Sequence, residues 1–390
     1  MVALEHVVVV GGGLAGARTV QELRAQGHAG RLTLVGAEPH RPYDRPPLSK
    51  HLLLGRADDS TLDIDLSDVD LRLGTTAVAL RPGVLETDRG DLEFDGLVLA
   101  TGAHARHLPG VEGRHVHVLR TVDDARGLRA ELRPGADVVV VGAGWIGAEV
   151  ATAASAAGCR TTVLEAAATP LSAALGDVGA FTAGWYGAAG VDLRLGVTVV
   201  AVEPDGVVLA DGARVPADAV VVGIGATPAT QWLAGSGLDV DGGVLVDEHL
   251  AASWPAVVAV GDCAAWTSRR YGTRLNVEHW DDALHAPTVA AATLLGKDAV
   301  HDPVPYFWSE QLGHRVQFVG YHRGADEVLH RGEPGGADGW TVCWLTDGRL
   351  DAVLAVDRPR DLAQGRRLVA AAARPDRQRL ADPAVPLRDV

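Results

Sequence analysis

The stretch HVVVVGGGLAG, residues 6–16, joins a run of β-branched residues to a glycine-rich turn. A helical sequence follows, and RLTLVG (31–36) supplies a second strand. In such a unit Gly11 permits a tight turn, Gly13 lets a pyrophosphate approach the backbone, and Gly16 lets the helix pack closely on the strand. The helix N-terminus then offers free amides to the anion. The stretch therefore predicts a dinucleotide-binding unit.

A second segment repeats this order of elements. DVVVVGAGWIGAEV (137–150) joins a β-branched run to Gly142, Gly144 and Gly147, and the next strand ends at Glu165. One glycine pattern is weak evidence, because any glycine-rich turn between a strand and a helix imitates it. Two complete copies in one chain indicate two dinucleotides, most simply a flavin beside a nicotinamide, with hydride transfer as the chemistry.

An acidic residue follows each unit, where a carboxylate could hold a ribose hydroxyl. Glu38 comes after the second strand of the first unit, and Glu165 ends the corresponding strand of the second. A carboxylate accepts a hydrogen bond from a free 2′-hydroxyl and repels a 2′-phosphate, so we expect NADH rather than NADPH. The alternative for Glu165 is a surface glutamate at a strand end.

Length and charge limit the class of protein. At about 150 residues per domain, 390 residues predict two or three domains. Lys and Arg number 35 against 50 Asp and Glu, and the net charge of −15 argues against nucleic acid or an anionic membrane as the main partner. The N-terminal stretch has no basic region, and its apolar run is far shorter than the roughly 18 residues of a membrane span. We therefore expect a cytoplasmic protein.

The three cysteines, Cys159, Cys263 and Cys343, lie far apart in the sequence, outside any CxxC pair. This spacing predicts neither a metal site nor a redox-active disulfide, and three buried thiols are expected instead.

Three further apolar strands end in small residues, a pattern typical of a chain that passes close to a bound cofactor or between domains. They are FDGLVLATGA (94–103), DAVVVGIGATP (218–228) and AVVAVGDCA (256–264). The last places Asp262 at a helix entry, where it could cap the helix or bind a ligand.

The segment RPYDRPPLSK (41–50) contains three prolines, which fix their own φ and keep the preceding residues extended. It is expected to form a rigid loop that ends at Lys50. The loop either places that charge or serves as a stiff surface connector.

These segments, with NVEHWDDA (276–283), PYFWSEQ (305–311) and DRPRDLAQGRRLV (357–369), resemble the oxygenase-coupled NADH:ferredoxin reductases of the putidaredoxin reductase and biphenyl dioxygenase reductase kind. The resemblance extends over essentially the whole chain.

The resemblance implies an α/β fold with two Rossmann-like domains of the glutathione-reductase type and a small α+β C-terminal domain. The FAD domain would comprise residues 1–113 and 239–306, the NADH domain 114–238 and the C-terminal domain 307–390. The FAD ligands would be Gly11, Gly13, Ala15, Gly16, Glu38, Arg45, Lys50, Val78, Thr101, Gly102, Arg120, Asp262 and Trp280. The NADH ligands would be Gly142, Gly144, Trp145, Ile146, Gly147, Glu165 and Gly225.

Three residues receive catalytic roles by the same resemblance. Lys50 would lie beside the flavin ring and stabilise its reduced form, and Glu149 would pair with Lys50 and orient its ammonium. Trp308 would line the electron route, Trp145 would cover the nicotinamide pocket, and the helix after Trp280 would direct its N-terminus at the flavin. Core packing is the alternative for each tryptophan.

Electrons would pass from NADH through FAD to a 2Fe-2S ferredoxin, which would feed a haem monooxygenase or a ring-hydroxylating (Rieske-type) dioxygenase. An acidic ferredoxin requires a basic docking surface, and the candidates are arginines that could equally be solvated residues of an amphipathic helix. They are Arg315, Arg358, Arg360, Arg366 and Arg367.

The chain departs from its relatives at two places. Ala37 stands where some relatives have an aspartate for the FAD ribose, so Glu38 would have to serve. Thr169 and Ala173 stand where many relatives have arginines, which puts tight binding of the NADH adenosine in doubt.

The sequence leaves two alternatives to a ferredoxin reductase. An NADH oxidase or disulfide reductase on the same frame needs a redox cysteine soon after the first ribose acid, where this chain has PPLSK. A flavoprotein redox sensor, in which NADH binding changes shape and turnover is incidental, requires no partner.

Overall fold

The computed structural model describes residues 4–111, 113–336 and 338–390. By its internal contacts the chain forms two compact units. The first comprises residues 4–44, 60–104 and 227–305, and the second comprises residues 45–59, 105–226 and 306–390. The rigid loop predicted from its prolines is thus divided, because Arg45–Asp59 belongs to the second unit.

The strands are β1 (His6–Val10), β2 (Arg31–Gly36), β3 (Asp70–Leu73), β4 (Ala77–Arg81), β5 (Val84–Thr87), β6 (Leu92–Glu93), β7 (Gly96–Leu99), β8 (Ala103–Ala105), β9 (Val116–His117), β10 (Asp137–Val141), β11 (Arg160–Glu165), β12 (Asp192–Leu195), β13 (Val199–Glu203), β14 (Gly206–Leu209), β15 (Arg214–Pro216), β16 (Ala219–Val222), β17 (Ala226–Pro228), β18 (Val244–Val246), β19 (Val257–Ala259), β20 (Ala264–Ser268), β21 (Thr273–Leu275), β22 (Tyr306–Gln311), β23 (His314–Gly320), β24 (Glu327–Arg331), β25 (Trp340–Thr346) and β26 (Arg349–Val356). The helices are α1 (Leu14–Ala25), α2 (Val122–Glu131), α3 (Trp145–Ala156), α4 (Ser172–Leu175), α5 (Ala183–Ala188), α6 (Trp280–Leu294), α7 (Pro359–Ala370) and α8 (Arg377–Ala381).

The first unit is built on a five-stranded parallel sheet with the order β19-β7-β1-β2-β3. Its central strand β1 is a run of valines because both faces of a parallel sheet are buried. Helix α1 covers one face with Ala17, Val20 and Leu23, which are at most 1% exposed. Their spacing of three residues places them on one side of the helix.

The second unit contains a sheet of the same design, with the order β9-β16-β10-β11-β12 and every pair parallel. Strand β10 takes the central place of β1, and helix α3 packs on it as α1 packs on β1. Each unit also has a three-stranded antiparallel sheet, β4-β5-β6 in the first and β13-β14-β15 in the second. The two glycine segments therefore begin two copies of one architecture.

The C-terminal part of the second unit is an antiparallel sheet with the order β22-β23-β26-β25-β24. Helix α7 packs on β26 and β23 through Leu362, Gly365 and Val369. A Cβ on Gly365 would lie 3.0 Å from the Val353 side chain, so glycine allows this helix to approach the sheet closely.

These sheets confirm the predicted α/β class, with two Rossmann-like sheets and a small C-terminal α+β part. In the described ranges, the helices all fall short of the length and hydrophobicity that crossing a membrane requires.

Arg331, at the end of β24, is 3% exposed and joins the C-terminal tail to the sheet. Its guanidinium donates to Asp361 Oδ2 over 3.0 Å and to the Leu380 carbonyl over 3.1 Å, and also to the carbonyls of Asp382 and Val385. The four acceptors satisfy the hydrogen-bond donors of this buried guanidinium. Removal of the Arg331 side chain would leave the buried Asp361 carboxylate without its countercharge.

We predict that Arg331→Ala lowers the free energy of unfolding by about 3–5 kcal/mol, because one partner of a buried ion pair is lost. Urea denaturation measures this change. Arg377→Ala is the matched control, since Arg377 pairs with Glu327 over 2.8 Å in the same region but is 61% exposed. Equal midpoints for the two variants would contradict the prediction.

Candidate functional site

In the first glycine turn, two glycines are required by the protein's own backbone. Gly11 has φ +124°, and a Cβ on it would lie 2.0 Å from the Ala100 carbonyl oxygen. A Cβ on Gly16 would lie 1.9 Å from the Gly11 carbonyl oxygen. Both distances are impossible for a side chain, so the turn and the start of α1 pack together only with glycine.

The second turn has the same two requirements. Gly142 has φ +102°, and a Cβ on it would lie 2.4 Å from the Gly223 carbonyl oxygen. A Cβ on Gly147 would lie 2.0 Å from the Gly142 carbonyl oxygen. The repetition of both contacts shows that the turns are built alike.

The middle glycine of each turn has no such requirement. Gly13 (φ −90°, ψ −167°) and Gly144 (φ −78°, ψ −170°) have extended backbones that any residue adopts. A Cβ on Gly13 would have no atom within 4 Å, and one on Gly144 would have only the Gly223 carbonyl oxygen, at 4.0 Å. The open space fits a ligand that approaches the backbone.

The helix starts beside these glycines are suited to an anion. Gly13 and Gly144 are the N-caps of α1 and α3, and the first turn of each helix carries no acidic residue. A glycine N-cap has no side chain that could accept hydrogen bonds from the first backbone amides of the helix. These amides are therefore available to donate to a phosphate. The two cradles therefore fit the pyrophosphates of FAD and a pyridine nucleotide.

Glu165 is held rigidly at the end of β11. Its Oε2 accepts from the Ala143 amide over 2.7 Å, and its Oε1 accepts from the Ala167 amide over 2.8 Å. The first of these bonds joins the carboxylate directly to the second glycine turn. Glu165 thus lies at the end of the second strand of its unit, beside the glycine turn, as the sequence pattern predicts for an acid of this kind.

Glu38 occupies a different place in the first unit. The register pairs Val10 with Val35, and Val141 with Leu164, so Gly36 rather than Glu38 corresponds to Glu165. The Glu38 carboxylate accepts from the Tyr43 hydroxyl, which fixes it two residues beyond the end of β2.

Asp262 lies in a short turn, Gly261–Cys263, that packs on the first glycine turn. Gly261 has φ +68°, and a Cβ on it would lie 3.1 Å from Ala15 Cβ. The N-cap of this turn is Val260, two residues before Asp262, so Asp262 does not occupy the capping position that was one of its two alternatives. The position beside Ala15 suits the predicted role of Asp262 as a ligand.

The start of α6 holds further candidates of the first unit. Trp280 Nε1 donates to Asp44 Oδ1 over 2.8 Å, and the N-cap is His279. Desolvation by burial lowers the pKa of His279 to about 4. The negative charges of Asp282 and Asp262 raise this pKa, but their effect is smaller than that of burial. The helix therefore begins with a neutral imidazole at neutral pH.

Three further predicted FAD ligands, Thr101, Gly102 and Val78, belong to the first unit. The Thr101 hydroxyl donates to the Ala229 carbonyl over 2.8 Å, and Gly102 has φ +70°. Val78, on β4, is 49% exposed, so its side chain is available for contact with a ligand.

In the second unit, Lys50 and Glu149 form an ion pair. Lys50 Nζ lies 2.8 Å from Glu149 Oε2, and the two side chains are 14% and 4% exposed. The ion pair suggested by the resemblance is therefore present. Both residues belong to one compact unit, because the end of the proline-rich loop packs on α3.

Two serines that the sequence did not single out complete this cluster. Ser49 donates to Glu149 Oε2, and Ser309 of β22 donates to Glu149 Oε1 over 2.6 Å. Ser49 is 5% and Ser309 1% exposed. Ser49 lies in PPLSK and Ser309 in YFWSEQ, two segments that the sequence analysis quoted. Neither segment contains a pattern that identifies its serine as a partner of a glutamate far away in the sequence.

Helix α3 and strand β22 match along one face. Trp145 packs edge-on against Phe307, with ring centroids 4.6 Å apart, and Thr152 Oγ1 accepts from the Leu312 amide over 2.8 Å. Trp145 and Glu149, one helical turn apart, thus meet Phe307 and Ser309, which are alternate residues of the strand, and Thr152 binds the backbone just beyond its end.

Trp308 lies on the opposite face of β22. It stacks with Tyr306 at a centroid distance of 6.1 Å, and Arg366 of α7 lies over the Tyr306 ring at 5.3 Å. The arginine and both aromatics therefore share one face of the C-terminal sheet.

The other predicted ligands in the second unit are Arg45, Arg120, Ile146 and Gly225. Arg45 donates to the Arg120 carbonyl over 2.6 Å, so these two predicted FAD ligands lie together. Ile146 is 40% exposed beside the glycine turn, and Gly225 has φ +103° in the crossing segment after β16.

Two dinucleotide cradles and a C-terminal α+β part define a two-dinucleotide oxidoreductase. The family model described as "Pyridine nucleotide-disulphide oxidoreductase" matches residues 5–286, and the one described as "Reductase C-terminal" matches residues 306–390. The chain belongs to the pyridine nucleotide-disulphide oxidoreductase family.

Individual proteins confirm the resemblance stated from the motifs. The chlorobenzene dioxygenase ferredoxin reductase component of Cupriavidus sp. (strain PS12) is 39% identical over 401 residues, covering 99% of this chain and 97% of that protein. The crystal structure of Fdr9 has a TM-score of 0.94 and 50% identity, covering 98% and 99% of the two chains. The covalent putidaredoxin reductase–putidaredoxin complex gives a TM-score of 0.94 at 34% identity, covering 98% and 97%.

We predict that Gly144→Ala weakens NAD⁺ binding about tenfold or more while leaving thermal stability nearly unchanged, because its methyl group enters only the space kept for the pyrophosphate. Isothermal titration and thermal denaturation measure the two effects. Gly147→Ala is the contrasting control, since its methyl group meets a backbone oxygen at 2.0 Å and should destabilise the unit itself. Unaltered NAD⁺ affinity in Gly144→Ala would refute the assignment of the cradle.

Proposed function

We propose that this flavoprotein is an FAD-dependent NADH:ferredoxin reductase that passes electrons from NADH to a 2Fe-2S ferredoxin, which feeds an oxygenase. The observation that carries the proposal is the pair of dinucleotide cradles in a chain without a cysteine pair. Bound FAD accepts a hydride from a reduced nicotinamide and releases electrons singly, so it joins a two-electron donor to a one-electron acceptor.

The cysteines argue against disulfide chemistry. Cys159, Cys263 and Cys343 are free and buried, and burial raises the pKa of each thiol, that of Cys343 to about 12. A thiol that stays protonated is a poor nucleophile. The family description includes disulphide reduction, but this chain has no cysteine suited to it. The disulfide reductase and the cysteine-dependent NADH oxidase are therefore ranked below the ferredoxin reductase.

NADH is proposed over NADPH because of Glu165. The carboxylate is fixed by two backbone amides, so it cannot easily turn away from a 2′-phosphate. A fixed anion at this place accepts from a ribose hydroxyl and repels a phosphate.

Lys50 and Glu149 are proposed to act on the flavin, with the ammonium as the charge and the glutamate as its positioning partner. Glu149 accepts from Lys50, Ser49 and Ser309, so its carboxylate is held in one orientation. A preorganised cation stabilises developing negative charge without reorganising during the reaction.

The ferredoxin is proposed to dock on the C-terminal part of the chain. Arg315, Arg360, Arg366 and Arg367 are exposed there and Arg358 is half-buried, a basic surface on a chain of net charge −15. Arg366 and Trp308 share a face of the sheet through Tyr306. An aromatic beside a basic surface suits electron transfer to an acidic partner. A protein partner is supported by one of the similar solved structures, which is the covalent putidaredoxin reductase–putidaredoxin complex.

The domain assignment follows from the same proposal. Residues 1–113 and 239–306 would bind FAD, residues 114–238 would bind NADH, and residues 307–390 would form the reductase C-terminal domain. A cytoplasmic location is proposed with it, where NADH and oxygenases are supplied.

The function is tested by two measurements on the purified flavoprotein. Stopped-flow mixing with NADH should bleach the flavin absorbance, and cytochrome c reduction should accelerate strongly when a 2Fe-2S ferredoxin is added. Rapid flavin reduction with no acceleration by any ferredoxin of the oxygenase type would contradict the proposal. A long-lived NADH complex without turnover would favour the redox sensor instead.

We predict that Lys50→Met slows NADH-driven flavin reduction on the order of a hundredfold, because one preorganised charge is removed. The chain offers a matched control, since its only other lysine is Lys297. Lys297 is exposed and donates to the Gln26 carbonyl over 2.8 Å, so Lys297→Met should leave the rate unchanged. Equal stopped-flow rates in Lys50→Met and wild type would show that Lys50 has no such role.

A further inference from the structure

A buried histidine–aspartate pair lies at the start of α6. His301 Nε2 is 2.8 Å from Asp282 Oδ1, and the two side chains are 3% and 6% exposed. Asp282 lies in the first turn of α6, and His301 lies in the segment between α6 and β22. An ionised carboxylate only accepts hydrogen bonds, so His301 donates through Nε2 and a second proton would enter the ring at Nδ1.

The surroundings of His301 fix its imidazole. The backbone amide of His301 donates to the Glu248 carbonyl over 2.7 Å. The Trp266 ring, 1% exposed, meets the imidazole edge-on with ring centroids 4.7 Å apart. Among the residues that the structure describes, the hydrogen-bond partner of the Asp282 carboxylate is His301. The pair is therefore a fixed unit that carries one negative charge when the imidazole is neutral and none when it is an imidazolium.

The charged residues near the pair have other partners. These residues belong to α6, to helix α1 that packs on it, and to the segments around Glu248, Arg269 and His301. Asp281 lies 3.7 Å from His285, Glu248 lies 2.5 Å from Arg269, His249 lies 3.9 Å from Asp298, Asp302 accepts from the Ser268 hydroxyl, Arg274 donates to two backbone carbonyls, Arg24 pairs with Asp68, and Lys297 donates to the Gln26 carbonyl. The carboxylate that faces the His301 imidazole is therefore that of Asp282.

The pair lies beside the first glycine turn. A Cβ on Gly261 would lie 3.9 Å from the Cβ of Ala283, the residue after Asp282, and 3.1 Å from the Cβ of Ala15. Ala15 belongs to the first turn of α1, whose start forms the first cradle. Gly261 thus joins the start of α6 to the cradle.

A charge on Asp282 acts across the start of α6. Burial lowers the pKa of His279, the N-cap of this helix, and the carboxylates of Asp282 and Asp262 both raise it. Asp262 belongs to the short turn that packs on the first glycine turn. His279 therefore senses both the buried pair and a residue beside the cradle.

The protonation state of the pair changes the field at the start of this helix. A helix N-terminus is equivalent to about half a positive elementary charge, which the Asp282 carboxylate opposes and a protonated His301 restores. A hydride brings two electrons and one proton, so a reduced flavin carries one more negative charge than an oxidised one. In a buried site that charge favours a nearby imidazolium, because little water screens the two charges.

We propose that His301 takes up a proton at Nδ1 when the cofactor of the first unit is reduced, and that Asp282 stabilises the imidazolium. The inference rests on the proposed function, which puts FAD in the first cradle, and it adds a residue that sets the reduction potential. The hydride comes from NADH and the additional proton from water. This proton returns to water when the two electrons leave. His301 acts on the potential through its charge.

The test measures the midpoint potential of the bound flavin against pH in wild type, His301→Gln and Asp282→Asn. Glutamine can still donate to Asp282 but cannot take up the proton. One proton per two electrons lowers the potential by about 30 mV for each tenfold fall in proton concentration. The wild-type potential should therefore fall more steeply with pH than that of His301→Gln, by up to this amount per pH unit, in the range where an imidazole titrates, about pH 5–8.

The two variants should shift the potential in opposite directions. His301→Gln keeps the negative charge, so its potential should equal the wild-type value at alkaline pH and lie below it at acidic pH. Asp282→Asn removes that charge, so its potential should lie above the wild-type value at alkaline pH. Loss of packing alone would not give shifts of opposite sign.

His285→Gln is the matched control. His285 lies on the same helix and is 60% exposed, so water screens its charge. The potential of this variant should follow the wild-type curve at every pH. Flavin absorbance per protein shows whether each variant holds FAD, and if His301→Gln holds none, the shift in Asp282→Asn at alkaline pH decides.

Parallel curves for wild type and His301→Gln would overturn the inference, and so would a potential of Asp282→Asn at or below the wild-type value at alkaline pH. Neither result would affect the proposed function. Flavin that NADH does not reduce, or reduction that no ferredoxin draws on, would contradict the proposed function, whereas the potentials of the FAD-loaded protein would still decide the inference. A chain that takes up no FAD would refute both.

Discussion

Contact between backbones in the glycine turns is the constraint on which the rest of each nucleotide-binding unit depends. The Gly11 carbonyl oxygen occupies the place where a side chain on Gly16 would begin, and Gly142 and Gly147 repeat this contact. The strand and the following helix can therefore meet closely only through glycine. This approach points the helix N-terminus into the turn, and the amides and the dipole become available to a phosphate. The shape of each cradle follows from a contact that involves no side chain.

That constraint explains what could be predicted from sequence. The glycine turns and the valine strands are formed by residues that are adjacent in the sequence, so a local sequence pattern predicts them. The α/β class follows from the order of these elements. The cluster around Glu149 depends on three distant segments. Ser309 meets Glu149 only because a residue of β22 faces α3 once the C-terminal sheet has packed. No pattern in the sequence indicates that a serine 160 residues away is a partner of the glutamate, whereas the family resemblance does imply the pairing with Lys50.

Glu149 also shows how a buried charge is tolerated. A carboxylate 4% exposed is costly unless it has a countercharge and further donors. Here the lysine supplies the charge, and two serines, one from the loop and one from the C-terminal sheet, supply the other bonds. The C-terminal part of the chain thus contributes to the electrostatic environment of Lys50 as well as to the docking surface proposed for it. The two serines hold the carboxylate, and the carboxylate in turn positions the ammonium through its bond with Lys50 Nζ.

The two units differ in the residue that ends the second strand of the parallel sheet, Gly36 in one and Glu165 in the other. Gly36 occupies the position of Glu165, and a Cβ on Gly36 would lie 3.4 Å from the Gly12 Cα, which leaves little room for a larger side chain beside the first turn. In the second unit Ala143 takes the place of Gly12, and its amide donates to the Glu165 carboxylate. The glutamate of the first unit lies two residues later, at Glu38, and is held by Tyr43 rather than by the turn. The two copies of the fold thus share the backbone contacts of their glycine turns and differ in the place of the glutamate that follows the second strand.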